Sequence, residues 1–165
     1  MASRKGIAVT IAILVGVVAA SFLVYLLPED TTMKISVSDF EEHLDVTKER
    51  ASMEVTGIDD SFKKLINGEI DPDEYISMAE ISSSQLNSLI IELTNSGATQ
   101  EWSESYVTYI GALKKLNEKI TETIVIANLI DDDTNSNSMD EILSKIKQLE
   151  IESLDLAKRS DNSRP

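Results

Sequence analysis

Cysteine is absent from this chain of 165 residues. That removes disulfide frameworks, thiol nucleophiles and thiolate-held metal centres together. It leaves the redox compartment open, because both an oxidising exterior and a reducing cytosol tolerate it. Histidine occurs once, tryptophan once and proline three times. A single imidazole cannot assemble a multi-histidine zinc site. Basic residues are also few, 15 against 29 acidic ones, for a net charge of −14. A chain this acidic lacks the electrostatic footprint of a nucleic-acid binder. Phosphate loops, nucleophile elbows, metalloprotease helices and Asn-x-Ser/Thr sequons are missing as well. No nucleophile–base set or metal constellation is visible, so the expectation is a non-enzymatic protein with no cofactor.

What the chain does have is one long apolar run. Ile7 to Leu27 reads IAVTIAILVGVVAASFLVYLL, 21 residues without a charge. A bilayer core needs about 20 such residues in a helix, which also satisfies its own backbone hydrogen bonds. Tyr25 falls near the exit, where an amphipathic ring suits the headgroup level. Pro28 ends the run. Arg4 and Lys5 precede it, and Glu29 and Asp30 follow. The positive-inside rule then puts residues 1–6 in the cytoplasm and the chain from 28 onward outside. Cleavage as a signal peptide after Val18-Ala19-Ala20 competes with this reading. The apolar run continues to Leu27, longer than the roughly 7–15 residues of a signal peptide's core, which favours a retained anchor.

The segment SRKGIAVTIAIL resembles the N-termini of small archaeal signal-anchor membrane proteins. That resemblance implies an anchor and no activity. Arg4-Lys5-Gly6 before a long apolar helix also resembles the class III, prepilin-type signals of archaeal pilins and archaellins. It implies cleavage after Gly6 and a helix that becomes a filament core. Within the run, Ala8, Ala12, Gly16 and Ala20 recur every fourth residue. They place four small residues on one helix face, where a second copy of the membrane helix can approach closely.

Beyond a short linker, residues 28–37, the sequence reads as helices. Ser38 with Glu41 forms a capping-box pattern, and apolar or small residues follow at 40, 44, 47, 51, 55, 58, 62 and 65. Spacings of three and four predict an amphipathic helix that stops at Asn67-Gly68. Asp71-Pro72-Asp73-Glu74 predicts the second helix start. Its stripe is Tyr75, Ala79, Ser82, Leu86, Leu89 or Ile90, and Leu93, with a stop at Asn95-Ser96-Gly97. The third helix is expected over about Thr99–Ile130, roughly 48 Å long. Its stripe is a heptad seam from Trp102 through Tyr106, Tyr109, Leu113, Leu116, Ile120, Thr123 and Ala127 to Ile130. Ile124-Val125-Ile126 lowers helix propensity locally, yet the unbroken seam around it argues for helix. A polar loop, Asp131–Asn137, precedes a fourth helix expected from Ser138, with stripe residues Ile142, Ile146, Leu149, Ser153 and Ala157. Ser160 to Pro165 reads as a disordered tail.

Three groups invite a chemical reading. His43 lacks the Glu-x-x-His context of a di-iron bundle, because position 40 is Phe. It reads as a solvated or boundary side chain. Asp131-x-Asp133-x-Asn135 resembles the start of a calcium loop, but Ser136 and Ile142 stand where Gly and Glu are needed. Asp131, Asp133 and Asp140, with Asp132, remain candidates for low-affinity calcium binding. Trp102, Tyr106 and Tyr109 share a helix face and read as core, with Tyr75 able to meet them across the bundle.

The expectation is thus all-α: one transmembrane helix over 7–27, then an acidic antiparallel four-helix bundle over 38–159. Short connections make successive helices antiparallel neighbours. The function expected is a structural or interaction module at the membrane, single-pass with the bundle outside. Its partner is another membrane or surface protein, or a second copy of itself. A ligand-sensing bundle and a filament subunit are the alternatives. A pocket beside Trp102 would favour ligand binding, and a solid core an interaction role.

Overall fold

The computed structural model describes residues 39–131 and 136–165. The membrane segment 7–27 with Ala8, Ala12, Gly16 and Ala20, the linker 28–37, and Asp133 lie outside the described residues. Within them the chain forms four helices: α1 Phe40–Ile66, α2 Pro72–Asn95, α3 Gln100–Asp131 and α4 Ser136–Asn162. Among the described residues there is no strand, and no helix is long and apolar enough to cross a membrane.

The helix ends follow from local chemistry. At α1 the cap is Asp39 and not Ser38. Its carboxylate accepts from the Glu41 and Glu42 amides at 3.0 and 3.1 Å, which orphan donors at a helix start require. α1 ends at Asn67 and Gly68, where a φ of 71° at Gly68 turns the following Glu69 amide back to donate to the Lys64 carbonyl at 2.8 Å. Asp71 caps α2 through the Asp73 amide at 2.9 Å, with Pro72 at the first helical position. Gly97, at φ 66°, closes the turn into α3. The β-branched run 124–126 is helical, as the seam requires.

Pairs of side chains set the topology. His43 and Arg50 of α1 reach Glu92 near the end of α2, while Ser61 lies against Met78 near its start, so α1 and α2 are antiparallel. Tyr75 meets Thr123, and Asn87 meets Asn117, which makes α2 and α3 antiparallel. Ser105 bonds Ser160, and Lys145 bonds Glu122, so α4 runs back along α3. The result is an up-down-up-down arrangement.

The expected stripes are the core. Leu44, Ala51, Ile58 and Leu65 of α1 join Tyr75, Ala79, Leu86, Leu89 and Leu93 of α2 and Tyr106, Tyr109, Leu113, Ile120 and Ala127 of α3 in one cluster. Leu89, not Ile90, takes the buried position. Fully burying one such aliphatic side chain stabilises by about 1.5–3 kcal/mol. α3 also buries a second face, Ser105, Ala112, Lys119 and Ile126, one residue every seven. That face receives α4, whose Ile146, Leu149, Ser153 and Ser160 are buried. α3 is therefore the central helix. No Cα of α4 comes within 8 Å of one in α1 or α2 among the described residues.

Two expectations are corrected at α4. It begins at Ser136, two residues before the expected Ser138. The expected disordered tail is in fact its last turn and cap. Ser160 is 0% exposed because Ser105 packs on it and donates to its carbonyl at 2.8 Å. Small side chains on both helices allow that close approach. Beyond the helix, Arg164 is held by ion pairs to Asp45 and Asp161.

Candidate functional site

Two constructions stand out from the packed core, a polar cluster and a cleft. The first joins three helices at the end where α1 begins. His43 sits on α1 one residue before buried Leu44, and Glu92 sits on α2 one residue before buried Leu93. Both are thus flank positions, and their side chains are 16% and 26% exposed. The His43 Nδ1 lies 3.0 Å from the Tyr106 hydroxyl, and Nε2 lies 3.1 Å from a Glu92 carboxylate oxygen. Arg50 Nη1 donates to the other Glu92 oxygen at 2.8 Å. The Tyr106 hydroxyl also donates to the Phe40 carbonyl at 2.9 Å.

Aromatic rings close over this cluster. Phe40 and Trp102 each meet the Tyr106 ring edge-on, with centroids 5.9 and 6.4 Å away. The His43 ring stacks on Tyr106 at 5.9 Å. Burial, and then the charge of Asp39, pushes the Tyr106 phenol up to about 12, with Arg164 working against the shift. Tyr106 therefore remains a neutral hydroxyl donor. It is 2% exposed, which closes its oxygen to an incoming substrate. The arrangement can hold and move a proton, and it ties three helix ends together.

The second construction is a cleft of about 260 Å³ between α1 and α4, with α3 as its floor. Ala51, Ser52, Ala112, Ser153 and Ala157 leave the space open, and Val55, Tyr109, Leu116 and Leu154 make it apolar. Ion pairs bar both ends. At one, Lys48 reaches Asp161 at 2.5 Å with its ammonium 5.0 Å from the Tyr109 ring centroid. There Arg164 also pairs with Asp45 at 2.5 Å and Asp161 at 2.8 Å. At the other, Lys119 rises from α3 to Asp59 of α1 at 2.8 Å and Glu150 of α4 at 3.6 Å. Lys119 is 4% exposed, and two carboxylates offset the desolvation of its charge. Burial would raise the Asp161 carboxyl, but Lys48 and then Arg164 outweigh it and hold the group below its ordinary value of 3.8.

The residues singled out in the sequence meet these constructions unevenly. His43 is a boundary residue with both ring nitrogens engaged, not a solvated one. Trp102, Tyr106 and Tyr109 pack in or against the core, as their register requires. Tyr75 does not join them. Antiparallel α2 and α3 carry it to the opposite end, where its ring meets Phe62 at 5.7 Å and its hydroxyl donates to Thr123. The cleft lies beside Tyr109 and not beside Trp102. The calcium candidates Asp132 and Asp133 are outside the described residues, and Asp140 is exposed. Among the described residues no three His, Asp or Glu side chains converge to hold a metal ion.

Glu92, Lys48, Lys119 and Arg164 were not singled out from the sequence. The one signal available was the sevenfold recurrence Ser105, Ala112, Lys119, Ile126. Three of those four residues are small or polar, so the pattern does not read as a buried face. No protein-family model, curated protein or solved structure matches the chain.

Proposed function

We propose that this chain is a non-enzymatic interaction module, held at a membrane by residues 7–27 with its acidic bundle outside the cell. The observation that carries the reading is the uncharged 21-residue run, flanked by Arg4-Lys5 before and Glu29-Asp30 after. An excess of 14 negative charges favours basic partners and disfavours anionic lipid heads. Exposed apolar side chains on α1 and α2, Met53 and Ile81 among them, offer contact area to such a partner. Pairing of two copies through Ala8, Ala12, Gly16 and Ala20 belongs to the same proposal.

The deciding experiment is intact mass and N-terminal sequencing of protein from native membranes, with protease added to sealed cells. A retained N-terminus and a protease-sensitive bundle support the anchor. A start at Ile7 replaces it with the filament subunit, and a start near Ser21 with a released bundle. Crosslinking in membranes tests the pairing face: Gly16→Leu should abolish the dimer, and an unchanged dimer removes that part.

One observation favours a second reading. The apolar cleft between α1 and α4 suits a ligand-sensing bundle that signals through a partner. A panel of small apolar molecules that raises the melting temperature of the full chain, with the gain lost in Ala112→Leu, would support it.

A further inference from the structure

His43 is the only imidazole in the chain, and its two nitrogens face different demands. An ionised Glu92 can only accept, so Nε2 carries a proton whenever this bond is made. Nδ1 faces the Tyr106 hydroxyl, which owns one proton and has two acceptors in reach. These are Nδ1 at 3.0 Å and the Phe40 carbonyl at 2.9 Å. With His43 neutral, Nδ1 is an acceptor and competes with Phe40 for the phenol proton. With His43 protonated, Nδ1 donates to the phenol oxygen, and only the Phe40 carbonyl is left to receive the phenol proton.

We propose that protonation of His43 switches the Tyr106 hydroxyl onto the Phe40 carbonyl and so fastens the first turn of α1 to α3. Phe40 is the first residue of α1, so the switch acts where the chain enters the bundle. The charged groups facing the cluster are Glu92 on α2, Arg50 on α1, Asp39 at the α1 cap and Arg164 beyond α4. Asp39 and Arg164 act on the Tyr106 phenol with opposite signs, and the Glu92 carboxylate is shared between Arg50 and His43. The phenol keeps its proton throughout, so the change is a redirection of one hydrogen bond and not a transfer out of the cluster. Imidazoles change charge between about pH 5 and 8, which sets the range for the test.

The test uses the full chain with ¹⁵N-histidine, ¹³C-carbonyl phenylalanine and ¹⁵N-glutamate. Phe40-Glu41 is the one Phe–Glu peptide bond in the sequence, so its doubly labelled signal is unique. From pH 8 to pH 5 the Nδ1 resonance should move to its protonated position, and the Phe40 carbonyl resonance should move with the same midpoint. Amide exchange over residues 41–44, corrected for intrinsic rates, should slow roughly two- to tenfold, the range one hydrogen bond supplies. In Tyr106→Phe, His43 should still titrate while the Phe40 carbonyl stays still, and in His43→Gln the carbonyl should not respond to pH. A wild-type Phe40 carbonyl that ignores the His43 titration overturns the proposal. So does a carbonyl that still follows it in Tyr106→Phe. Should that variant fail to fold, the wild-type titration and His43→Gln decide alone.

Discussion

The α2–α3 pair and the α1–α4 pair are both antiparallel neighbours, and they are held by opposite means. Tyr75, Leu86, Leu89 and Leu93 of α2 and Leu113 and Ile120 of α3 are each 2% exposed or less. Across α1–α4 no Cα pair is within 8 Å, small side chains line the gap, and Lys48, Lys119 and Arg164 bridge it. Apolar burial acts only at contact and scales with the area removed from water. Long charged side chains span a gap, yet the solvent-facing pairs of Lys48 and Arg164 contribute only about 0–1 kcal/mol each, and of the three bridges only Lys119 is buried. α1 therefore takes its stability from α2 and α3, and its attachment to α4 is the part that solution conditions can loosen.

The largest test of that contrast is Leu86→Ala in the closed pair. Leu86 is 0% exposed, and the cavity left behind should cost about 2–5 kcal/mol in denaturant unfolding. A loss below about 1 kcal/mol would mean that this pair is not the tight one. Tyr75→Phe probes the same interface more gently. It removes the 2.5 Å hydrogen bond to Thr123, whose own hydroxyl still donates to the Ile120 carbonyl. The expected cost is about 1 kcal/mol.

In the open pair, Arg164→Ala removes links to Asp45 and Asp161, both more than half exposed. Here the expected cost is below about 1 kcal/mol. It should shrink further in 1 M NaCl, where the screening length is about 3 Å. A cost as large as that of Leu86→Ala would break the comparison.

The smallest effect is with pH. The Asp161 carboxyl lies below its unfolded value of 3.8, so its contribution is present above that value and is lost as pH falls through the lower folded one. Below about pH 4, amide exchange at the α4 end, residues 158–164, should rise before exchange in α2 does. Simultaneous loss of both would place the acid-sensitive groups elsewhere.

Much of the architecture was readable in the residues. The stripes of all four helices, the Asp71-Pro72 start and the stops at Gly68 and Gly97 depend on neighbours three or four positions away, and they appear as expected. Local ambiguity explains the smaller departures. Ser38 and Asp39 are adjacent residues that both cap helices, and the ionised oxygen of Asp39 serves two amides. The C-terminus is a different kind of departure. Residues 160–165 read as a polar tail because nothing local orders them. Ser105 covers Ser160 from 55 residues away, and Asp45 holds Arg164 from 119 residues away. The candidate site was the least legible part. His43 reads from its own neighbours as a solvated or boundary side chain, because its partners Glu92 and Tyr106 lie 49 and 63 residues along the chain.

The amino-acid sequence by itself determined that this protein is helical, where its apolar faces lie, and how strongly acidic it is. Those properties follow from periodicity, caps and counting, each set within a turn or two of chain. Only the tertiary structure decided that α3 is central and buries a second, partly polar face. It also decided that Lys119 ends up 4% exposed between two carboxylates, and that the lone imidazole joins three helices. A polar side chain far from its partner in sequence carries no periodic signal, and which helix becomes central depends on the relative fit of all the faces at once.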